Sequence, residues 1–167
     1  MQPVTVNGEI VSSSNIRQKL LQGEIEKAAQ LLGHEYYVTG KVVHGQKLGR
    51  KLGFPTANIE VDRSVLMPKR GVYLVRVRHE GSDYPGLLNF GVRPTVSGQN
   101  TTIEIHILDF AGDLYGKEIT VAFLTRLRDE IAFGNIEDLK AQIEADKKEG
   151  EKFFKVNKIL FPHKKQD

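Results

Sequence analysis

Residues 72–90 read VYLVRVRH, EGSD, YPGLLNF, and the fold turns on them. Tyr73, Val75 and Val77 alternate with Leu74, Arg76 and Arg78, the period of a strand with two unlike faces. Glu80-Gly81-Ser82-Asp83 then forms a turn, and Tyr84–Phe90 returns. Outward from this hairpin the alternation recurs. Ile103, Ile105 and Ile107 share one face of Thr101–Leu108, and Ile119, Val121 and Phe123 share one face of Glu118–Leu124. Upstream, Tyr36–Val43 is a β-rich run ending in a glycine-rich loop. Short strands joined by turns, with no helix between them, indicate an antiparallel barrel or sandwich rather than a parallel βαβ sheet.

Helices flank the strands. Ser12, Ser13 and Ser14 offer N-caps, and Ile16, Leu20, Leu21, Ile25, Ala28 and Leu32 follow helical spacing to a stop at Gly33. Gly23 can split this segment in two. At the other end Ile136, Leu139, Ile143 and Phe154 make a sparse apolar stripe on a mostly charged helix. Phe161-Pro162 closes the ordered chain, and residues 163–167 are expected to be a disordered tail. The predicted order is helix, five or six strands, helix.

Composition narrows the function. The chain has 167 residues, 40% hydrophobic and 27% charged, which suits one globular domain. It has no cysteine, which excludes disulfides, thiolate zinc sites, iron–sulfur clusters and cysteine nucleophiles. No apolar run approaches the ~20 residues that span a bilayer. MQPVTVNGEI lacks the basic start and apolar core of a secretory signal, so a cytoplasmic location is expected. The net charge of +3 suits a phosphate-bearing ligand but is too small to imply nucleic acid without a clustered patch. Neither nucleic acid nor membrane is expected as a partner.

The densest chemistry lies in Gly40–Asn58, GKVVHGQKLGRKLGFPTAN. Glycines 40, 45, 49 and 53 with Lys47, Arg50 and Lys51 could cradle an anion with backbone N–H groups and neutralise it. The spacing fits neither a P-loop nor a dinucleotide fingerprint, and the alternative is a basic loop joining two strands. Thr56 and Asn58, two apart on an extended segment, point to one face and offer hard neutral oxygens that suit Mg²⁺. The alternative there is a turn with local hydrogen bonds. Glu104 and His106 share the polar face of the Ile103/Ile105/Ile107 strand, and either could act as a general base. Arg128, read as lying after the last strand, could bind phosphate or stack on a planar ring, or could pair with Glu130 at the surface.

Five ordered blocks between about Tyr36 and Phe161 resemble the riboflavin kinase family. They are the segment 38–58 containing GRKLGFPTAN, GVYLV (71–75), NFGVRPT (89–95), IEIHILDF (103–110) with DLYG (113–116), and LRDEIAF (127–133). The resemblance implies a mainly β fold: a closed six-stranded antiparallel Greek-key barrel with a long C-terminal helix and a short N-terminal helical segment. It implies transfer of the γ-phosphate of ATP to the 5′-hydroxyl of riboflavin, giving FMN and ADP, with Mg²⁺ or another divalent cation. Position by position, Glu104 matches the general base, and Thr56 and Asn58 match the residues that contact metal and nucleotide phosphate. Gly45 and the loop from Gly49 to Gly53 match the flap over ATP, and Arg50 falls where the family places a basic phosphate contact. Arg128 matches the arginine beside the isoalloxazine ring, and Glu130, Phe133 and Ile107 match further flavin contacts. The resemblance thus selects Glu104 over His106.

Val11–Arg17, VSSSNIR, resembles the end of the adenylyltransferase module of bifunctional riboflavin kinase/FAD synthetases. The implied organisation is a helical remnant of that module over 1–33, the kinase barrel and helix over 34–162, and the tail. The adenylyltransferase would be a partner in cis in the longer protein, and FAD synthesis is expected to be absent from this chain.

Overall fold

The computed structural model describes residues 2–44, 56–159 and 161. Among these residues, eight strands and three helices follow in order: β1 (Thr5–Val6), β2 (Glu9–Ile10), α1 (Ser13–Leu21), α2 (Ile25–Leu32), β3 (Tyr37–Val43), β4 (Ala57–Val61), β5 (Gly71–His79), β6 (Ser82–Thr95), β7 (Gly98–Ile107), β8 (Glu118–Arg128) and α3 (Ile136–Val156). Strands β3–β8 close an antiparallel barrel in the order β3-β4-β7-β6-β5-β8. This is the expected six-stranded barrel with its C-terminal helix.

The alternation read from the sequence sorts the barrel into two faces. Val38, Val42, Ile59, Tyr73, Val75, Val77, Leu88, Ile103, Ile105, Ile119, Val121 and Phe123 fill the interior. Leu20 and Ala28, with Ile25, join the same core, so α1 and α2 are packed on the barrel. Gly23 does split the N-terminal segment: it takes the left-handed conformation at φ 78°, which an L side chain resists. Ser12 caps α1 by accepting from the Asn15 N–H at 3.1 Å.

A second, smaller core lies outside the barrel. Leu74, Leu87 and Leu124 turn away from the interior and meet Phe154 of α3 and Phe161. This explains why Leu74 is fully buried although it alternates with buried Tyr73 and Val75. Each such burial contributes about 2 kcal/mol. α3 begins with Asn135 accepting from the Asp138 N–H at 2.8 Å, with Glu137 and Asp138 in the first turn where the helix dipole favours negative charge.

Several boundaries differ from the sequence reading. The small β1–β2 hairpin has too few residues for a periodic signal. The turn shortens to Glu80-Gly81, both at positive φ, as a two-residue hairpin turn requires. β8 runs on to Arg128 rather than stopping at Leu124, so Arg128 is a strand residue, not a loop residue. Irregular pairing with β5 near Val72 and Leu74 interrupts the alternation there and hides the continuation. The tail 163–167 lies outside the described residues. No helix among the described residues is long and apolar enough to cross a membrane.

Candidate active site

The register of the barrel draws one row of residues across five strands. Asn58 of β4 pairs with Glu104 of β7, Glu104 with Asn89 of β6, Asn89 with Val72 of β5, and Val72 with Arg128 of β8. The neighbours of Asn58 and Glu104, namely Ala57, Ile59, Ile103 and Ile105, turn to the core, so Asn58 and Glu104 turn outward. α3 passes over part of this outer surface. Between barrel and helix lies a cleft of about 210 Å³, lined by Thr56, Leu87, Asn89, Arg93, Glu104, Arg128, Ile131, Phe133, Leu139, Ile143 and Asp146 among others.

Two charged pairs stand in this cleft. Arg93 Nη2 donates to Glu104 Oε1 at 2.6 Å. Arg128 holds Asp146 of α3 in a forked contact, Nε to Oδ1 at 3.0 Å and Nη2 to Oδ2 at 2.8 Å, and also donates through Nη1 to the Asp129 carbonyl at 3.0 Å. Gln142 Nε2 donates to the same Asp146 at 3.0 Å. Asp146 is buried, and such a carboxylate needs this partnering to offset its desolvation. The sequence allowed Arg128 a surface pair with Glu130; the partner is instead Asp146. Glu130 lies across β6, its carboxylate against the backbone of Gly91, where any side chain would overlap it. Behind the cleft, Arg126 binds the Arg70 carbonyl and Asp129, and holds the Asp129 carboxyl below its ordinary range.

Of the residues singled out from sequence, Thr56, Glu104, Arg128 and Phe133 meet in the cleft. Asn58 adjoins Glu104 in the row, and Glu130 sits beside it over Gly91. Ile107 stands apart: it is buried in the barrel core with Ile103 and Ile105, because its position on β7 has the inward parity. Gly45, Gly49, Arg50 and Gly53 lie outside the described residues. Asn89, Arg93 and Asp146 were missed. Asn89 and Arg93 fall in NFGVRPT on the face opposite core residues Leu88 and Phe90, a parity that could have flagged them. Asp146 interrupts the apolar stripe of α3 three residues after Ile143, a place where an acid implies a buried partner.

Thr56 and Asn58 supply hydroxyl and amide oxygens, with the Glu104 carboxylate beside them. No group of three His, Cys, Asp or Glu among the described residues could cage a metal. A hard divalent cation that draws most of its ligands from phosphate and water fits this sparse oxygen set.

Comparison with known proteins agrees with the geometry. The riboflavin kinase (flavokinase) family model matches residues 32–154. Bifunctional riboflavin kinase/FMN adenylyltransferases are similar: that of Pseudomonas fluorescens is 47% identical over 146 residues, covering 87% of this chain and 47% of the relative. That of Escherichia coli K12 is 43% identical over 152 residues, 90% of this chain and 48% of the relative. The chain thus spans about half the length of the curated relatives it matches. Among solved structures, riboflavin kinase from Trypanosoma brucei matches with TM-score 0.55 and 28% identity over 71% of this chain and 79% of that one. The structure of a macrolide-efflux protein from Streptococcus pneumoniae matches with TM-score 0.83 and 36% identity over 87% of this chain and 48% of that one. Macrolide efflux has no counterpart in the family model or in the names of the curated relatives. With its barrel, the polar residues of its outward row and a family match over most of its length, the chain belongs to the riboflavin kinase family.

Proposed function

We propose that this chain phosphorylates riboflavin, moving the γ-phosphate of ATP to the 5′-hydroxyl of the ribityl chain. Glu104 is the general base that takes the hydroxyl proton. Thr56 and Asn58 would hold Mg²⁺ or another divalent cation, which when bound would supply charge neutralisation to the nucleotide phosphates. Arg128 and Phe133 flank the isoalloxazine ring, with Glu130 beside them, and the apolar wall of Leu87, Leu139 and Ile143 covers its flat surface. Phosphoryl transfer asks a protein mainly to align two substrates and stabilise charge, which a fixed barrel face does well. The observation that carries this reading is the convergence of Thr56, Glu104 and Arg128, distant in sequence, on one cleft. Ile107, matched by the resemblance to a flavin contact, is buried in the barrel core behind Glu104. FAD synthesis would need the adenylyltransferase module in cis.

The test mixes the protein with riboflavin, ATP and Mg²⁺ and separates the flavins by chromatography. FMN should form only with ATP and a divalent cation, and no FAD should follow. Glu104→Gln should cut turnover by about 10²–10⁴ while riboflavin still binds. Near-normal turnover in that variant would remove Glu104 from the role of base.

A further inference from the structure

The cleft contains two arginines in unlike states. Arg128 is fixed through all three guanidinium nitrogens, by Asp146 and the Asp129 carbonyl. Arg93 is bound end-on, through Nη2 to one oxygen of Glu104 at 2.6 Å, and its remaining N–H groups have no partner among the described residues. Its side chain is 33% exposed, and it shares the cleft with Thr56. A guanidinium with donors to spare, beside a hydroxyl and a carboxylate, is suited to a multiply charged oxyanion. While the bond to Glu104 stands, one oxygen of the proposed base is occupied, and a substrate hydroxyl must compete for it.

We propose that Arg93 is a catalytic residue that binds the transferring phosphoryl group of ATP, exchanging Glu104 for it when the nucleotide arrives. This rests on the roles given above to Glu104 and Thr56. A triphosphate carries more negative charge than one carboxylate, so the guanidinium prefers it. Glu104, released, accepts the 5′-hydroxyl proton as the ribityl oxygen bonds to the γ-phosphorus. The bond from that phosphorus to the β-bridging oxygen breaks, and its electron pair leaves on ADP. Arg93 N–H groups meet the charge spread over the transferring oxygens. Both oxygens of the base are therefore free of Arg93 only when ATP is in place.

The test compares Arg93→Met, Arg93→Lys, Glu104→Gln and the Arg93→Met/Glu104→Gln double variant in the FMN assay. Riboflavin binding is read from flavin fluorescence and folding from thermal melts. Arg93→Met is expected to lower kcat about a hundredfold or more, with riboflavin affinity unchanged within about twofold. Added guanidinium ion should restore part of that loss. Arg93→Lys should retain more activity, and it carries the comparison if the Met variant fails to fold. The double variant should be at least about tenfold slower than Glu104→Gln alone, because two separate contacts are lost. If the double variant is no slower than Glu104→Gln, Arg93 acts only by orienting Glu104 and the phosphate assignment is overturned. An Arg93→Met enzyme within about threefold of wild type overturns it as well. Normal turnover by Glu104→Gln removes the base reading alone, and the loss caused by Arg93→Met then decides the phosphate contact by itself.

Discussion

At Gly91 a single added methyl group would collide with the Glu130 carboxylate. Gly91 lies on β6 between Asn89 and Arg93, on the same outward face, and its bare backbone is the surface on which Glu130 rests. The colliding atoms are the far end of an exposed side chain, so Gly91→Ala should displace Glu130 without breaking the sheet. Riboflavin KM should rise roughly tenfold, equivalent to ~1.4 kcal/mol, while the melting temperature moves by less than about 3 °C. Steady-state kinetics beside a thermal melt checks both halves; an unchanged KM would mean that Glu130 has no flavin role. A spacing of two put Thr56 with Asn58 and Glu104 with His106 on common strand faces, but only the family resemblance chose Glu104 over His106. Arg93 was not legible, since an arginine on a polar strand face reads as a solvated charge until its distance to Glu104 is known.

α3 both covers the outer core through Phe154 and supplies Asp146 to Arg128. Removing the acid leaves a guanidinium that is 19% exposed without its forked partner. Asp146→Ala should therefore cost about 3 kcal/mol of stability, read as a lowered urea midpoint with an unchanged slope. Asp146→Asn should cost less, because the amide oxygen still accepts one of the two bonds. The strong periodic elements were legible: β5, the start of β6, β7 and α3 were read close to where they lie. β4 was not read as a strand, because five residues beside a glycine-rich loop carry too few alternations. The end of β8 was lost where irregular pairing with β5 breaks the period. The partner of Arg128 was invisible for another reason: nothing local links residue 128 to residue 146, and only the return of α3 across the barrel joins them.

At the scale of the molecule, two tyrosines tie the barrel to the segment between β4 and β5. Tyr36 Oη donates to the Leu66 carbonyl and Tyr73 Oη to the Lys69 carbonyl. Burial pushes both phenols above their ordinary value, opposed at Tyr73 by nearby Arg126. A raised folded-state pKa means that stability is full below the unfolded value and falls as pH climbs through it. Lys19, raised chiefly by its bond to Glu9, acts in the same direction. Melting temperature should thus hold steady from about pH 7 to 9 and decline above about pH 10. Tyr36→Phe and Tyr73→Phe should flatten the decline; a curve that keeps its slope in both variants would assign the loss to other groups. The row from Asn58 to Arg128 carries a consequence of another kind. Its members sit side by side only because five strands are aligned by their backbone hydrogen bonds, and outside the irregular β5–β8 pairing each strand alternates its faces with every residue. One inserted residue in β7 just before Glu104 would send that carboxylate inward and bring an isoleucine out. The same insertion at the Glu80-Gly81 turn would lengthen a loop and leave the row intact. Tolerance to changes in chain length should therefore map onto the molecule as sharply as tolerance to substitution, with the hairpin tips permissive and the strands of the row closed to it.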